Sequence, residues 1–278
     1  MSDSPEEYCQ QDVRRFDSDR WLTTLFAPDS KRPALLALYA FNSEIARARE
    51  AVTQPMIGQI RLQWWREAWE GIAKDQPRRH PVIEALHRHC RHVNVNDAMM
   101  LIDARERDME DRPFETAAEL SAYAEASSAP LMRLAAQALD VPIDDALSES
   151  IRLAGTAYAL VGLLRAVPFM AAQHRVYLPA DRLAAAGRTP ESLYQRGMGA
   201  EVAGVIAEIG QDAACMLDEL RQRPVSRQAL PALLPASLAR VYLRHLARAG
   251  YNPEAVPANS AATAKHFSLL SSVWRRRI

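Results

Sequence analysis

One stretch constrains what this chain can fold into: Leu153 to Pro179, reading LAGTAYALVGLLRAVPFMAAQHRVYLP. Its first half is an apolar run with small residues at Ala154, Gly155, Thr156, Ala157, Ala159 and Gly162 and a single charge, Arg165. Apolar residues lie all round such a helix, which predicts burial within the fold. At roughly 16 residues the run is short for a membrane span, and it carries an arginine. The expectation is a central helix of a large helical domain.

Composition agrees with that reading. The 278 residues are 49% hydrophobic and 24% charged, enough to bury a sizeable core. Ala, Leu, Arg and Glu dominate, and only ten glycines occur, so an all-α chain is expected. The 34 basic and 34 acidic residues cancel. A phosphate backbone selects a basic excess, so nucleic acid is not an expected partner. Cys9, Cys90 and Cys215 are far apart and match no zinc or redox spacing, which fits a reducing compartment. The opening MSDSPEEYCQQ lacks a hydrophobic signal core. The expected location is cytoplasmic, with no signal peptide and no transmembrane segment. Residues 1–16 read as a mobile N-terminal arm and residues 17–278 as one helical domain.

Several side-chain groups ask for a chemical role. Trp64, Trp65 and Trp69 crowd one helix and read as core aromatics, with the lining of an apolar pocket as the second choice. His89 and His92 can share a helix face, but no third metal ligand accompanies them. In AMMLIDARERDMEDR the acids alternate with Arg105 and Arg107, which favours a ladder of ion pairs over a metal cluster. Trp274 followed by Arg275, Arg276 and Arg277 can rest on an anionic lipid surface or form a solvated basic tail.

Two segments carry a resemblance. The ending His174-Arg175-Val176-Tyr177-Leu178-Pro179 is similar to the end of the second aspartate-rich helix of the squalene/phytoene synthase family, and Arg165 matches that motif's arginine. Tyr158 stands at the motif's glutamine and Gly162 at its asparagine; Ala166 and Met170 stand at its two aspartates. Earlier, Tyr39-Ala40-Phe41 matches the family's first aspartate-rich helix. There Asn42 takes the cysteine position, Ala46 and Arg47 take the first two aspartates, and Glu50 takes the last. A helix running to about Val52 would set positions 46 and 50 one turn apart on one face. Glu119-Leu120-x-x-Tyr123-Ala124, with a helix break at Ser127-Ser128-Ala129-Pro130, also resembles the family. The resemblance implies an isoprenoid (trans-prenyl diphosphate) synthase fold, a helical bundle around a central cavity.

It also implies what is missing. The family's aspartates hold Mg²⁺ against a diphosphate, and magnesium requires hard oxygen ligands that alanine and methionine lack. The runs FNSEIARARE, IGQIRLQWW, LIDARERDMEDR, LLRAVPF and RVYLP resemble the branch of the family that contains the mitochondrial NADH dehydrogenase (complex I) assembly factor. The implied function is that of a non-catalytic assembly protein without cofactor or metal, with respiratory-chain assembly intermediates as partners near the inner membrane. An isoprenoid or lipid ligand in a retained cavity is compatible with it. The alternative is a prenyl-diphosphate transferase that uses Mg²⁺, or one that holds phosphate directly. Arg47, Arg165, Arg175 and Tyr177 are the candidate phosphate or ligand contacts, and Asp108 and Asp111 the candidate acids at a cavity rim.

Overall fold

The computed structural model describes residues 4–52, 54–110, 112–257 and 261–278, all of them helical, turn or irregular. The helices are α1 (Pro5–Phe16), α2 (Ser18–Thr24), α3 (Arg32–Ala46), α4 (Pro55–Ala73), α5 (Pro81–His89), α6 (Val95–Glu106) and α7 (Ala117–Ala126). They continue as α8 (Ala129–Ala138), α9 (Asp145–Ala172), α10 (Ala180–Ala185), α11 (Pro190–Arg196), α12 (Ala200–Gln222), α13 (Leu230–Arg248) and α14 (Ala262–Arg275). Where one domain was expected, the contacts gather into two compact units. One is Met1–Glu110, Ala129–Ile151 and Ser226–Ala232; the other is Asp111–Ser128, Arg152–Val225 and Leu233–Ile278. No change of composition announces the passages, and two of them fall inside α9 and α13.

In the first unit α3 is the core element. Its run from Ala34 to Ser43 is buried, and α1, α5 and α8 pack on it. On α4, Trp65 and Trp69 pack edge-on against Phe41 at ring separations of 5.3 and 5.4 Å, the arrangement aromatic quadrupoles favour. Trp64 is half-buried and meets His80 at 5.5 Å.

The stretch read as a mobile arm is, from Pro5 onward, helix α1. Ser4 and Glu7 form a reciprocal capping box, Pro5 occupies the first helical turn, and Cys9, Asp12 and Val13 are buried. Burial pushes the Cys9 thiol up to about 12, so it is an inert packing group. Residues 1–3 of that expectation lie outside the described residues.

Helix α3 is shorter than its sequence suggests. It ends at Ala46, and residues 47–51 form turns. At that end the Ser43 carbonyl accepts twice from Arg47, from its backbone N–H at 3.2 Å and from its Nε at 3.0 Å.

The part of α9 from Arg152 onward belongs to the second unit. Leu153 to Ala157 are buried throughout, as the apolar run predicts. Beyond them burial becomes one-sided, with Gly162, Arg165 and Phe169 exposed. The helix is 28 residues long rather than about 16, and contains Pro168, which removes one helical hydrogen-bond donor. By length and composition alone it is apolar enough to cross a membrane, and 50% of that stretch is buried inside the protein. Helix α13 begins at Leu230 and carries Pro235 inside it.

Candidate functional site

The residues matching the first motif sit at the end of α3 in the first unit. Arg47 does not reach for a ligand. Its Nη2 donates to Asp12 Oδ1 at 3.1 Å and lies 3.6 Å from Glu44, and its guanidinium stacks 3.6 Å from the Phe16 ring centroid. Glu44 in turn takes Arg61 at 3.3 Å. Two of these partners, Asp12 and Phe16, belong to α1, so the cluster ties α1 to the end of α3. Asp12 is the tense member. Its Oδ2 is buried without a hydrogen-bond partner among the described residues. Burial raises its pKa above the ordinary aspartate value, with Arg47 pulling the other way.

Ala46 is half-buried, and Glu50 is exposed in the turn after the helix. The expectation that positions 46 and 50 share a helical face fails, because α3 has already ended. At these positions a magnesium ion would find one carboxylate, solvated and outside the helix. These residues do not fit a metal-bound diphosphate. No group of three His, Cys, Asp or Glu side chains among the described residues is gathered as a metal site.

In the second unit the residues matching the second motif do share a face of α9. Tyr158, Gly162, Arg165, Ala166 and Met170 follow one another at helical spacing and are half-buried or exposed. That face carries one cation and no carboxylate. Arg165 lies flat on Tyr242, its guanidinium carbon 3.4 Å from the ring centroid, and Lys265 approaches the same ring at 5.5 Å. The opposite face of α9 lines a cleft of about 370 Å³ with Leu153 and Leu160. Its polar lining is Ser121, Arg152, Asp212, Cys215 and Glu219, and none of the expected site residues takes part.

Arg175 and Tyr177 are brought together, but with each other. Arg175 Nη2 donates to the Tyr177 hydroxyl at 2.6 Å. The Tyr177 ring packs on Phe114 at 5.8 Å and Tyr123 at 6.1 Å. The backbone after Tyr177 continues that contact, Ala180 N–H donating to the Phe114 carbonyl at 2.8 Å. The RVYLP motif thus fixes the end of α9 against the segment before α7. Asp108 is buried, with Arg105 3.4 Å away, rather than standing open at a rim; Asp111 lies outside the described residues. The acids of α6 do form ion pairs, Arg66 bridging Asp103 at 2.6 Å and Glu106 at 2.7 Å. His89 and His92 part company, His89 pairing with Glu6 at 3.0 Å and His92 meeting the Gln137 carbonyl at 3.2 Å.

Sequence reasoning missed Asp12, Phe16 and Tyr242. The signal for α1 was present: Ser4-Pro5-Glu6-Glu7 is a capping-box sequence with proline in the first turn. The Arg47–Asp12 pair had no local signal, since 35 positions separate the partners.

Comparison with known proteins follows the same lines. The squalene/phytoene synthase family pattern matches residues 13–262. The protein of Rattus norvegicus named NADH dehydrogenase (ubiquinone) complex I, assembly factor 6 is 30% identical over 277 residues, spanning 97% of this chain and 82% of that protein. Its Bos taurus counterpart is 28% identical over 279 residues, spanning 98% and 83%. Among solved structures, a squalene synthase of Alicyclobacillus acidocaldarius superposes with a TM-score of 0.78 at 23% identity, covering 90% of this chain and 95% of that one. A dehydrosqualene synthase bound to a ligand gives 0.80 at 15% identity, covering 98% and 96%. These two likenesses establish the isoprenoid synthase fold. The chain belongs to the squalene/phytoene synthase family, in the branch of the relatives named complex I assembly factor 6.

Proposed function

We propose that this protein is a non-catalytic member of its family that assists assembly of respiratory complex I. One observation carries the reading: near full-length similarity to proteins named complex I assembly factor 6. The site chemistry supports it. Ionising a prenyl diphosphate needs positive charge clamped on the departing diphosphate, a task that metal ions held by carboxylates perform well. The four positions read as metal ligands are Ala46, Glu50, Ala166 and Met170. Arg47, which follows Ala46 in sequence, is engaged by Asp12 and Glu44. The protein works without cofactor or metal, in the cytoplasm and at the inner face of the inner membrane. Its partners are assembly intermediates of the complex.

Two measurements on one system test this. Deleting the gene in its own host lowers NADH:ubiquinone oxidoreductase activity and the amount of assembled complex on native gels, and the wild-type gene restores both. Purified protein mixed with farnesyl diphosphate and Mg²⁺ releases no diphosphate. Metal-dependent diphosphate release would return the protein to the synthases. Binding of farnesyl diphosphate without turnover is compatible with the reading and would add a ligand to it. A deletion strain with normal complex I would sink the assembly role.

A further inference from the structure

Helix α14 is built the wrong way round for a helix that closes a core. Its buried side is small and polar: Ser272 Oγ meets Ser237 Oγ at 2.8 Å, Ser268 Oγ donates to the Ser237 carbonyl at 3.1 Å, and Leu269 is the main apolar group turned inward. Its outer side carries Phe267, Leu270 and Trp274, which are 74%, 58% and 82% exposed. These three recur at i, i+3 and i+7, one continuous stripe along the helix. Single exposed apolar residues are ordinary, whereas an aligned stripe of this kind marks a surface made to be covered.

The charge beside the stripe says by what. A groove of about 820 Å³ runs along α14, and Phe267 and Trp274 belong to its lining. So do the arginines Arg221, Arg240, Arg244, Arg275 and Arg277. Asp218 pairs with Arg240 at 2.7 Å, and Glu219 is taken by Arg223 at the same distance. No acid occurs in the sequence after Glu254. In a chain of zero net charge this is a local basic concentration flanking an apolar ridge. A bilayer with anionic headgroups is complementary to both at once: arginines meet phosphates at the headgroup level while aromatic rings enter the acyl boundary.

We infer that α14 and the arginine groove beside it form the face by which this protein docks on an anionic membrane surface, with Phe267, Leu270 and Trp274 entering the lipid. The inference deepens the membrane part of the proposed function. Its failure is separable: lost vesicle binding leaves the complex I phenotype of the deletion strain untouched, and a normal deletion strain leaves vesicle binding untouched.

The full chain is sedimented with vesicles of phosphatidylcholine alone and with added phosphatidylglycerol. Binding is expected with phosphatidylglycerol and to weaken as salt rises. Arg275→Gln with Arg277→Gln weakens it by about fivefold per charge removed. Phe267→Ser with Trp274→Ser weakens it at least about tenfold through the lost apolar burial. A second readout uses a variant with little folding risk: brominated lipid quenches part of the tryptophan fluorescence, and Trp274→Phe abolishes that part. Absence of binding to phosphatidylglycerol vesicles overturns the inference. So does equal binding to neutral vesicles, or binding and quenching unchanged in these variants. A chain that dimerises through this stripe, with dimers lost in the Phe267→Ser, Trp274→Ser protein and no vesicle binding, also overturns it.

Discussion

Helices α1 and α14 invert each other's expectations. α1 is a polar sequence, PEEYCQQDVRRF, yet it packs on α3 and α5 and buries Cys9, Asp12 and Val13. α14 holds Phe267, Leu270 and Trp274, yet turns its serines inward and leaves those three outside. Average polarity therefore says little about whether a terminal helix docks. A few specific partners decide it. For α1 they are the buried Val13, the Arg47–Asp12 pair and the stacking of Arg47 on Phe16. For α14 they are a serine pair and Leu269, enough to fix orientation with little apolar burial.

The sharpest way to break the comparison is to remove α1. A chain beginning at Asp17 loses the burial of Cys9 and Val13 and strands Arg47 without Asp12. We expect it to be less stable by more than about 4 kcal/mol in urea unfolding, or to lose its cooperative transition. A stability close to that of the full chain would restore the picture of an arm. Next in size is Arg47→Ala, which leaves the Asp12 carboxylate buried without its counter-charge. The expected cost is about 2–3 kcal/mol, below the roughly 3–5 kcal/mol of a fully buried pair, because Arg47 is partly solvated.

That variant has a pH signature. Burial raises the Asp12 pKa in the folded protein, and Arg47 holds the rise down. With Arg47 gone, folded Asp12 takes up a proton more readily than unfolded Asp12, so the folded state binds more protons over the acidic window above 3.8. Stability then falls as pH rises through that window. The deficit of Arg47→Ala relative to wild type is therefore largest at neutral pH and shrinks as Asp12 protonates. A deficit independent of pH, measured by urea unfolding across the window, would mean the lost contribution is stacking on Phe16.

Much of the fold was legible because its signals are local. The apolar run of α9, the break at Ser127-Ser128 between α7 and α8, and the RVYLP ending all appear where the sequence puts them. The positions matched to the second motif do lie along one face of α9. What the sequence could not convey was engagement. Arg47 reads as a free cation near a phosphate site until Asp12, 35 positions away, is seen holding it. Arg175 and Tyr177 read as ligand contacts until they are seen bonded to one another. The end of α3 at Ala46 is followed by Arg47, Ala48, Arg49 and Glu50, all good helix formers, so no local propensity records it.

The smallest expected effects lie on the other side of the comparison. Arg165→Ala removes a guanidinium that is exposed and stacked on Tyr242, with Lys265 still near the ring. The loss should be under about 1 kcal/mol, the usual worth of a solvated cation–π contact. Phe267→Ser with Trp274→Ser should change stability by less still, within about 0.5 kcal/mol, because both side chains meet water in the folded and the unfolded chain. A loss of several kcal/mol there would show that the stripe is held by the protein itself. Stability kept while vesicle binding disappears would separate the two terminal helices by purpose: α1 spends its sequence on folding, and α14 reserves its apolar side for a surface outside the chain.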